Sequence, residues 1–500
     1  MLRKIRIVLA AVFFIGLTLL FLDFTGTLHA WMGWMAKVQF LPAVLASNVV
    51  VVVAVVALTL IAGRIYCSVV CPLGVMQDIF GWMGKKTRRN RYTYSKEMAW
   101  LRYVMLAVMV VALALGASVI VQLLAPYSAF GRIATLVAQP LWMMGNNILA
   151  SLAERSDSYA FYSVDVWMRS LPALIVALAT LVLLLVLAWR GGRTYCNTIC
   201  PVGTVLSLAA RFSWLKISFD TGKCRNCSLC TKNCKASCID FKSHTVDYSR
   251  CVVCGDCIES CKFGALKLSA RRPQPSGAAA TSAKAHDAQQ TAPNGRRSFL
   301  LATALATTAA LAQEKKDVDG GLAELAEKKA PGRQTPLVPP GAQSLRNMET
   351  RCTGCQLCVS ECPNGVLRPS IELMHLMQPV MSFERGYCRP ECTRCSDVCP
   401  TGAIKPLDEV EKSSIQIGHA VVSPAHCLAA IGEAECGNCA HHCPAQAIEM
   451  VPTDPADDLS PMVPAVNEEA CIGCGACEHL CPVRPLSAIY VEGHESHRTI

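Results

Sequence analysis

The chain has 500 residues and no C-x-x-C-H anywhere, which excludes a covalently attached c-type haem. No G-x-G-x-x-G follows a strand-like run, so a dinucleotide-binding turn is excluded as well. His29, His375, His426, His441 and His442 stand at no metal-ligand spacing. No catalytic residue is indicated, so the chain has no evident terminal catalytic site. Acidic charge is scarce in residues 1–350, which carry a net +20, whereas residues 351–500 hold 9 Lys+Arg against 19 Asp+Glu and carry −10. The basic residues flank apolar runs, the pattern that orients membrane helices, so nucleic acid is not expected as a partner.

What is abundant is apolar sequence and cysteine. The hydrophobic fraction of 52% is high for one soluble globule, and the excess crowds residues 7–190. Four runs there, 7–22, 42–62, 103–124 and 171–189, are each near the ~20 residues a helix needs to cross a bilayer. Arg3, Lys4 and Arg6 precede the first run. Arg64, Lys85, Lys86, Arg88, Arg89, Arg91, Lys96 and Arg102 lie between the second and third, against Lys37 alone between the first and second. Arg132, Arg155 and Arg169 lie in the long third connection. The positive-inside rule then predicts a cytoplasmic N-terminus, a cytoplasmic second connection, and a cytoplasmic segment after the fourth run.

The expected architecture is an α-helical membrane domain of four spans (1–212) with small α+β bacterial-ferredoxin-like [4Fe–4S] domains. A two-cluster module covers 213–270 and a four-cluster domain covers 346–493. Residues 271–295 and 313–345 are polar linkers that cannot bury a core. Between them, 296–312 begins Arg296-Arg297-Ser298-Phe299-Leu300-Leu301 and ends Ala310-Leu311-Ala312. Its apolar stretch suits a signal h-region with a cleavage-like end, and the arginine pair suits a twin-arginine export signal, although Gly295 and Leu301 depart from that pattern. A buried helix after a chance arginine pair is the alternative.

Of 29 cysteines, 24 fall into six runs of four. The first pair is Cys224, Cys227, Cys230, Cys234 and Cys251, Cys254, Cys257, Cys261. The C-terminal domain has Cys352, Cys355, Cys358, Cys362; then Cys388, Cys392, Cys395, Cys399; then Cys427, Cys436, Cys439, Cys443; then Cys471, Cys474, Cys477, Cys481. Thiolates at x2-x2-x3 spacing wrap one face of a cubane and strain any local disulfide; Zn is the weaker alternative. The expectation is therefore six [4Fe–4S] clusters. In two-cluster ferredoxins the fourth cysteine of each run serves the other cluster. That predicts Cys261 joining the first run and Cys234 the second. In the C-terminal domain the outer runs are regular and the inner ones irregular, which predicts exchange between the outer two and between the inner two. Pro363, Pro400, Pro444 and Pro482 follow the fourth cysteines there, but Lys235 and Lys262 take that place in the first pair. Cys238 is surplus, read as a small buried hydrophobe or a substitute ligand.

The membrane half contains its own repeat. Residues Gly63 to Gly74 read GRIYCSVVCPLG, and Gly192 to Gly203 read GRTYCNTICPVG. Cysteines at i and i+4 share a helix face, so Cys67, Cys71, Cys196 and Cys200 can present four thiols together. A shared metal centre, a redox dithiol pair, the wall of a quinone pocket and a structural turn all remain open.

Four spans, two C-x3-C-P elements and a two-cluster module resemble the NapH-type membrane ferredoxins, a quinol dehydrogenase-like group. A twin-arginine signal followed by four clusters resembles the NapG/MauM-type polyferredoxins, and the chain looks like the two fused head to tail. That resemblance implies quinol as donor from the quinone pool, a cytoplasmic (inner) membrane location with the first two clusters inside and the last four in the periplasm, and delivery to a periplasmic reductase, such as nitrate reductase, or a c-type cytochrome. The rival readings are a redox maturation factor for a metalloenzyme and an iron–sulfur regulatory protein.

Overall fold

A computed structural model of the chain describes residues 2–88, 92–158, 160–270, 326–454, 456 and 460–500. The signal-like stretch 296–312, the linker 271–295 and the first part of the linker 313–345 lie outside the described residues.

Two helices are long and apolar enough to cross a membrane, Leu2–Leu22 and Leu171–Gly191; a third candidate is the bent pair Ser118–Leu124 and Pro126–Glu154. The second expected run is broken. Phe40–Leu45 ends at Ala46, and Val49–Ala62 starts afresh under an Asn48 side chain that accepts from Val51 N. Fourteen residues rise only about 21 Å, short of a ~30 Å hydrocarbon core. The third expected run is interrupted after Leu115 by Gly116 in the left-handed region, and resumes at Ser118. So the four uniform spans of the sequence reading become two full-length helices and several shorter apolar ones.

The connection after Ala62 is also not a simple loop. It turns at Gly63, enters the short helix Tyr66–Val69, and returns as Pro72–Arg88 packed against Leu171–Gly191. The second repeat does the same: Thr194–Thr198, then Pro201–Ala210 packed against Val49–Ala62 and Ala99–Leu115. Each short helix meets the helix that follows it at a cysteine–proline junction, where Pro72 or Pro201 occupies the first helical position and sacrifices no hydrogen bond.

The cysteine-rich parts are built from small units. Each run ends in a single-turn helix that carries its third cysteine and stops before the fourth: Leu229–Asn233, Asp256–Ser260, Leu357–Glu361, Arg394–Val398, Asn438–His441 and Ala476–Leu480. Two-stranded antiparallel ribbons flank them, including Leu215–Phe219 with Leu266–Ala270, Ile448–Pro452 with Met462–Val466, and the longer Ile415–Val422 with Ile489–Thr499.

These modules seat at opposite ends of the first helix. At its start, Arg3 bonds Asp256 and Glu259 of the 213–270 module, at 3.0 and 2.8 Å. Beyond its end, Gly26 lies against the Arg394 side chain of the C-terminal domain, and Leu2–Leu22 touches Leu357–Glu361. A continuous apolar core runs from the helices into the C-terminal domain, holding Leu17, Phe21, Tyr127, Leu357 and Val359.

Candidate iron–sulfur and membrane cysteine sites

The six runs draw together in fours. In the 213–270 module, Cys224, Cys227, Cys230 and Cys261 line one cavity, and Cys234 joins Cys251, Cys254 and Cys257. This is the expected exchange. In the C-terminal domain it differs from the nested order. Cys352, Cys355 and Cys358 ring a cavity with Cys399, while Cys388, Cys392 and Cys395 ring one with Cys362. Likewise Cys427, Cys436 and Cys439 gather with Cys481, and Cys471 and Cys474 lie close to Cys443. Neighbouring runs exchange, because each x3 turn after a one-turn helix carries the fourth thiol only as far as the adjacent unit. The regularity of the outer runs reflected spacing alone.

Backbone amides aim at several of these sulfurs. Ala265, Ala447 and Ile404 donate to the Sγ of Cys261, Cys443 and Cys399, at 3.3, 3.3 and 3.4 Å. Such N–H···S bonds favour the thiolate and tune the potential of an iron–sulfur group. Four soft thiol donors per cavity fit a cubane. Among the described residues, no three or more His, Cys, Asp or Glu side chains converge on a single metal ion. Cys238 is buried in the module core with its Sγ 3.5 Å from Cys234 Sγ, so it borders the thiol set without lining the Cys224 cavity.

The lysine that replaces proline after Cys234 has a partner. Lys235 Nζ lies 2.7 Å from Asp78 and 3.4 Å from Asp256, and its carbonyl accepts from Arg193 N at 2.9 Å. Asp78 also takes two bonds from Arg193, at 2.7 and 2.9 Å, and one from Arg6 at 3.0 Å. One carboxylate thus joins the first helix, Pro72–Arg88, the second repeat and the cysteine module.

The two membrane repeats meet through a reciprocal exchange. Arg64 of the first donates to Cys196 O of the second at 3.1 Å, and Arg193 of the second donates to Cys67 O of the first at 2.7 Å. The last glycine of each repeat lets the backbone close. A Cβ on Gly74 would stand 2.2 Å from Cys67 O, and one on Gly203 would stand 2.5 Å from Cys196 O. Cys67, Cys71, Cys196 and Cys200 are all buried and within electrostatic reach of one another. Gln77 Nε2 donates to Cys196 Sγ at 3.2 Å, and Gly203 N to Cys200 Sγ at 3.4 Å.

This thiol group lies between the modules. On one side Arg64 reaches Ser249 O, two residues before Cys251, and Asn197 Nδ2 reaches Ala236 O. On the other, Tyr195 Oη donates to Leu124 O; Arg132 donates to Gln122 O; and Gln122 packs on Gly354, next to Cys355. Arg64, Arg102 and Arg132, counted from sequence as loop charges, are buried here. Arg64, Arg193 and Gln77 were missed as site residues, although the arginine stands in both copies of the repeat.

A cavity of about 740 Å³ opens beside the Asp78 cluster. Ile7, Ala11, Phe14, Ile15, Ile79 and Trp82 form its apolar wall, and Arg6, Asp78, Tyr92, Asn233, Lys235 and Asp256 its polar end. None of the four membrane cysteines lines it.

Two stretches of the membrane half, 44–90 and 173–220, match one family of 4Fe-4S binding domains, so the repeat is shared by a family. Residues 244–267 and 348–368 match a second 4Fe-4S binding domain family, and 434–484 match a 4Fe-4S dicluster domain. The methylamine utilization ferredoxin-type protein MauM of Methylobacillus flagellatus is 33% identical over 164 residues, 31% of this chain and 67% of that protein. The chain belongs to the ferredoxin-type proteins. Another ferredoxin-type protein, NapH of Escherichia coli, is 28% identical over 240 residues, 46% of this chain and 70% of that one. An uncharacterized protein of Methanocaldococcus jannaschii is 38% identical over 96 residues, but that match spans 19% of this chain and only 38% of the relative. With its several [4Fe–4S]-binding domains, this ferredoxin-type chain is an iron–sulfur electron-transfer protein, and its apolar helices and NapH likeness associate it with a membrane.

Proposed function

We propose that the protein is a four-pass relay in the cytoplasmic membrane, taking electrons from quinol and delivering them to a periplasmic reductase, such as nitrate reductase, or a c-type cytochrome. The observation that carries this reading is the seating of two cysteine-rich modules at opposite ends of the helix Leu2–Leu22, whose 21 residues rise about 31 Å. In the relay the helices 40–62 and 99–124 each cross as a broken pass, and residues 296–312 export the C-terminal domain. The six groups of four cysteines hold six [4Fe–4S] clusters. When bound, each cluster takes up and gives up one electron at a time.

The residues around the clusters set the path. The cavity beside Asp78 suits a quinol: its apolar wall accepts an isoprenoid tail, and its polar end meets Lys235 and Asp256, neighbours of Cys234 and Cys257. Arg6, Arg193 and Lys235 hold Asp78, and through it fix the inner module against that cavity. The apolar contact around Tyr127, Leu357 and Val359 keeps water away from the seam with the outer domain.

The test uses membranes containing the full chain. A menaquinol or ubiquinol analogue should bleach the iron–sulfur absorption of the wild type. Ala11→Trp, which fills the cavity, should abolish that bleaching while dithionite still reduces the protein. An unreactive wild type, or an Ala11→Trp variant as reactive as wild type, contradicts the quinol reading.

A further inference from the structure

We infer that the loop 370–378 of the C-terminal domain dips into the bilayer that Leu171–Gly191 crosses, setting Ile371, Leu373 and Met374 among lipid acyl chains at the headgroup boundary. The inference rests on that helix spanning a membrane. It depends neither on quinol nor on the side on which the domain lies.

Depth carries the inference. The loop joins the paired strands Leu367–Pro369 and Pro379–Met381. At its base Leu376 and Met377 pack with Leu136 on Ala173 and Ala177 of the helix Leu171–Gly191. Alanine at both positions lets the loop approach closely. The helix rises about 31 Å over its 21 residues, which is only what a ~30 Å hydrocarbon core requires. Ala173 and Ala177 stand about 3 and 9 Å along it from Leu171, inside that core or at its edge. A loop seated on them is therefore at lipid depth. The connection before the helix holds the same end in place. Trp167 takes both Arg368 and Arg385 on its ring, with the guanidinium carbons 4.6 and 5.0 Å from the ring centroid.

The loop has a fixed shape. Ser370 N donates to Gln378 O at 2.7 Å and Met377 N to Ser370 O at 2.9 Å, which closes its neck. Gln356 Nε2 donates to Met377 O at 2.8 Å and secures that residue at φ +64°, a conformation uncommon outside glycine. Yet the tip buries little within the chain: Ile371, Leu373 and Met374 are 68%, 81% and 78% exposed. Three large apolar side chains within four residues of an ordered loop mark an interaction surface. Leu171 and Ile175 of the adjoining span are exposed as well, so lipid already surrounds the helix on which the loop sits. Glu372, between Ile371 and Leu373, limits the depth. Its exposed carboxylate stays hydrated among the headgroups while its neighbours reach the acyl chains.

The test places the photo-crosslinking residue p-benzoylphenylalanine at one position at a time in the full chain, in native membranes, and identifies adducts by mass spectrometry. Ile175 reports the span, Leu373 and Met374 report the loop, and Met462, exposed on the ribbon packed against Ile415–Val422, reports the domain surface. Two loop positions guard against one variant failing to fold. Phospholipid adducts at 373 and 374, in yield comparable to 175 and with none at 462, are the expected result. Lipid at 175 but at neither loop position overturns the insertion and leaves the span standing. Protein adducts at the loop in place of lipid, or lipid at 462 as abundant as at 373, overturn it as well. Absence of lipid at 175 removes the span, and the proposal with it.

Discussion

Asp78 offers the sharpest structural test, because one carboxylate answers three buried cations. Its side chain is 13% exposed, while Arg193, Arg6 and Lys235 are 0%, 7% and 11% exposed. Asp78→Ala leaves all three without that anion. Removing one partner of a buried ion pair costs about 3–5 kcal/mol. At 1.4 kcal/mol per factor of ten, the seam between helices and inner module should open about a hundredfold to a few thousandfold more often. The reporter is the Arg193 amide, which donates to Lys235 O across that seam at 2.9 Å. Hydrogen exchange of the peptide containing it should accelerate by that factor, while peptides of the strand Ile415–Val422 keep their rate. Acceleration within about threefold of wild type would show that the seam is held by apolar packing instead, and the ion-pair reasoning would be wrong.

Two further predictions follow from the C-terminal domain. If Cys352 and Cys399 serve one cavity, Cys352→Ser with Cys399→Ser should remove about four iron atoms, as either change does alone; loss of about eight on iron analysis would restore the nested pairing. Burial, with His494 adding, lowers His497 to about 4, and burial, Arg498 and His419 also lower His494. The unfolded chain therefore binds protons near pH 6.5 that the folded chain refuses, so stability is present above that pH and is lost as pH falls toward about 4. Thermal melts of the purified protein should show this decline, and His497→Gln should reduce it; identical pH profiles would contradict it.

Much of this was legible because thiol spacing is a local signal. The six runs, their grouping in fours and the exchange of Cys234 with Cys261 follow from x2-x2-x3 geometry within one or two turns of chain. Which C-terminal runs exchange was not local. It depends on which units stack, and the order of regular and irregular spacing carried no such information. The apolar runs announced helices, but not the breaks at Ala46 and Gly116, since hydropathy hardly registers a cap or a left-handed turn inside a run. That Arg64, Arg102 and Arg132, read as charges in the connections, are buried was not legible for a related reason: composition cannot tell a loop cation from one buried against carbonyls. The arginine in both membrane repeats was visible beside the cysteines, but its reach into the opposite repeat is a property of the fold. Asp78 had no sequence signal at all.

The central claim is that cysteine modules lie on opposite sides of the membrane, and sidedness tests it most directly. Intact spheroplasts carrying an epitope after Ile500 and a second in the exposed turn at Lys242–Ser243 are treated with protease. The account predicts loss of the C-terminal epitope in intact cells, and loss of the turn epitope only after permeabilisation. Protection of both epitopes in intact cells, or loss of both, would place all six thiol groups on one side and contradict a relay across the membrane.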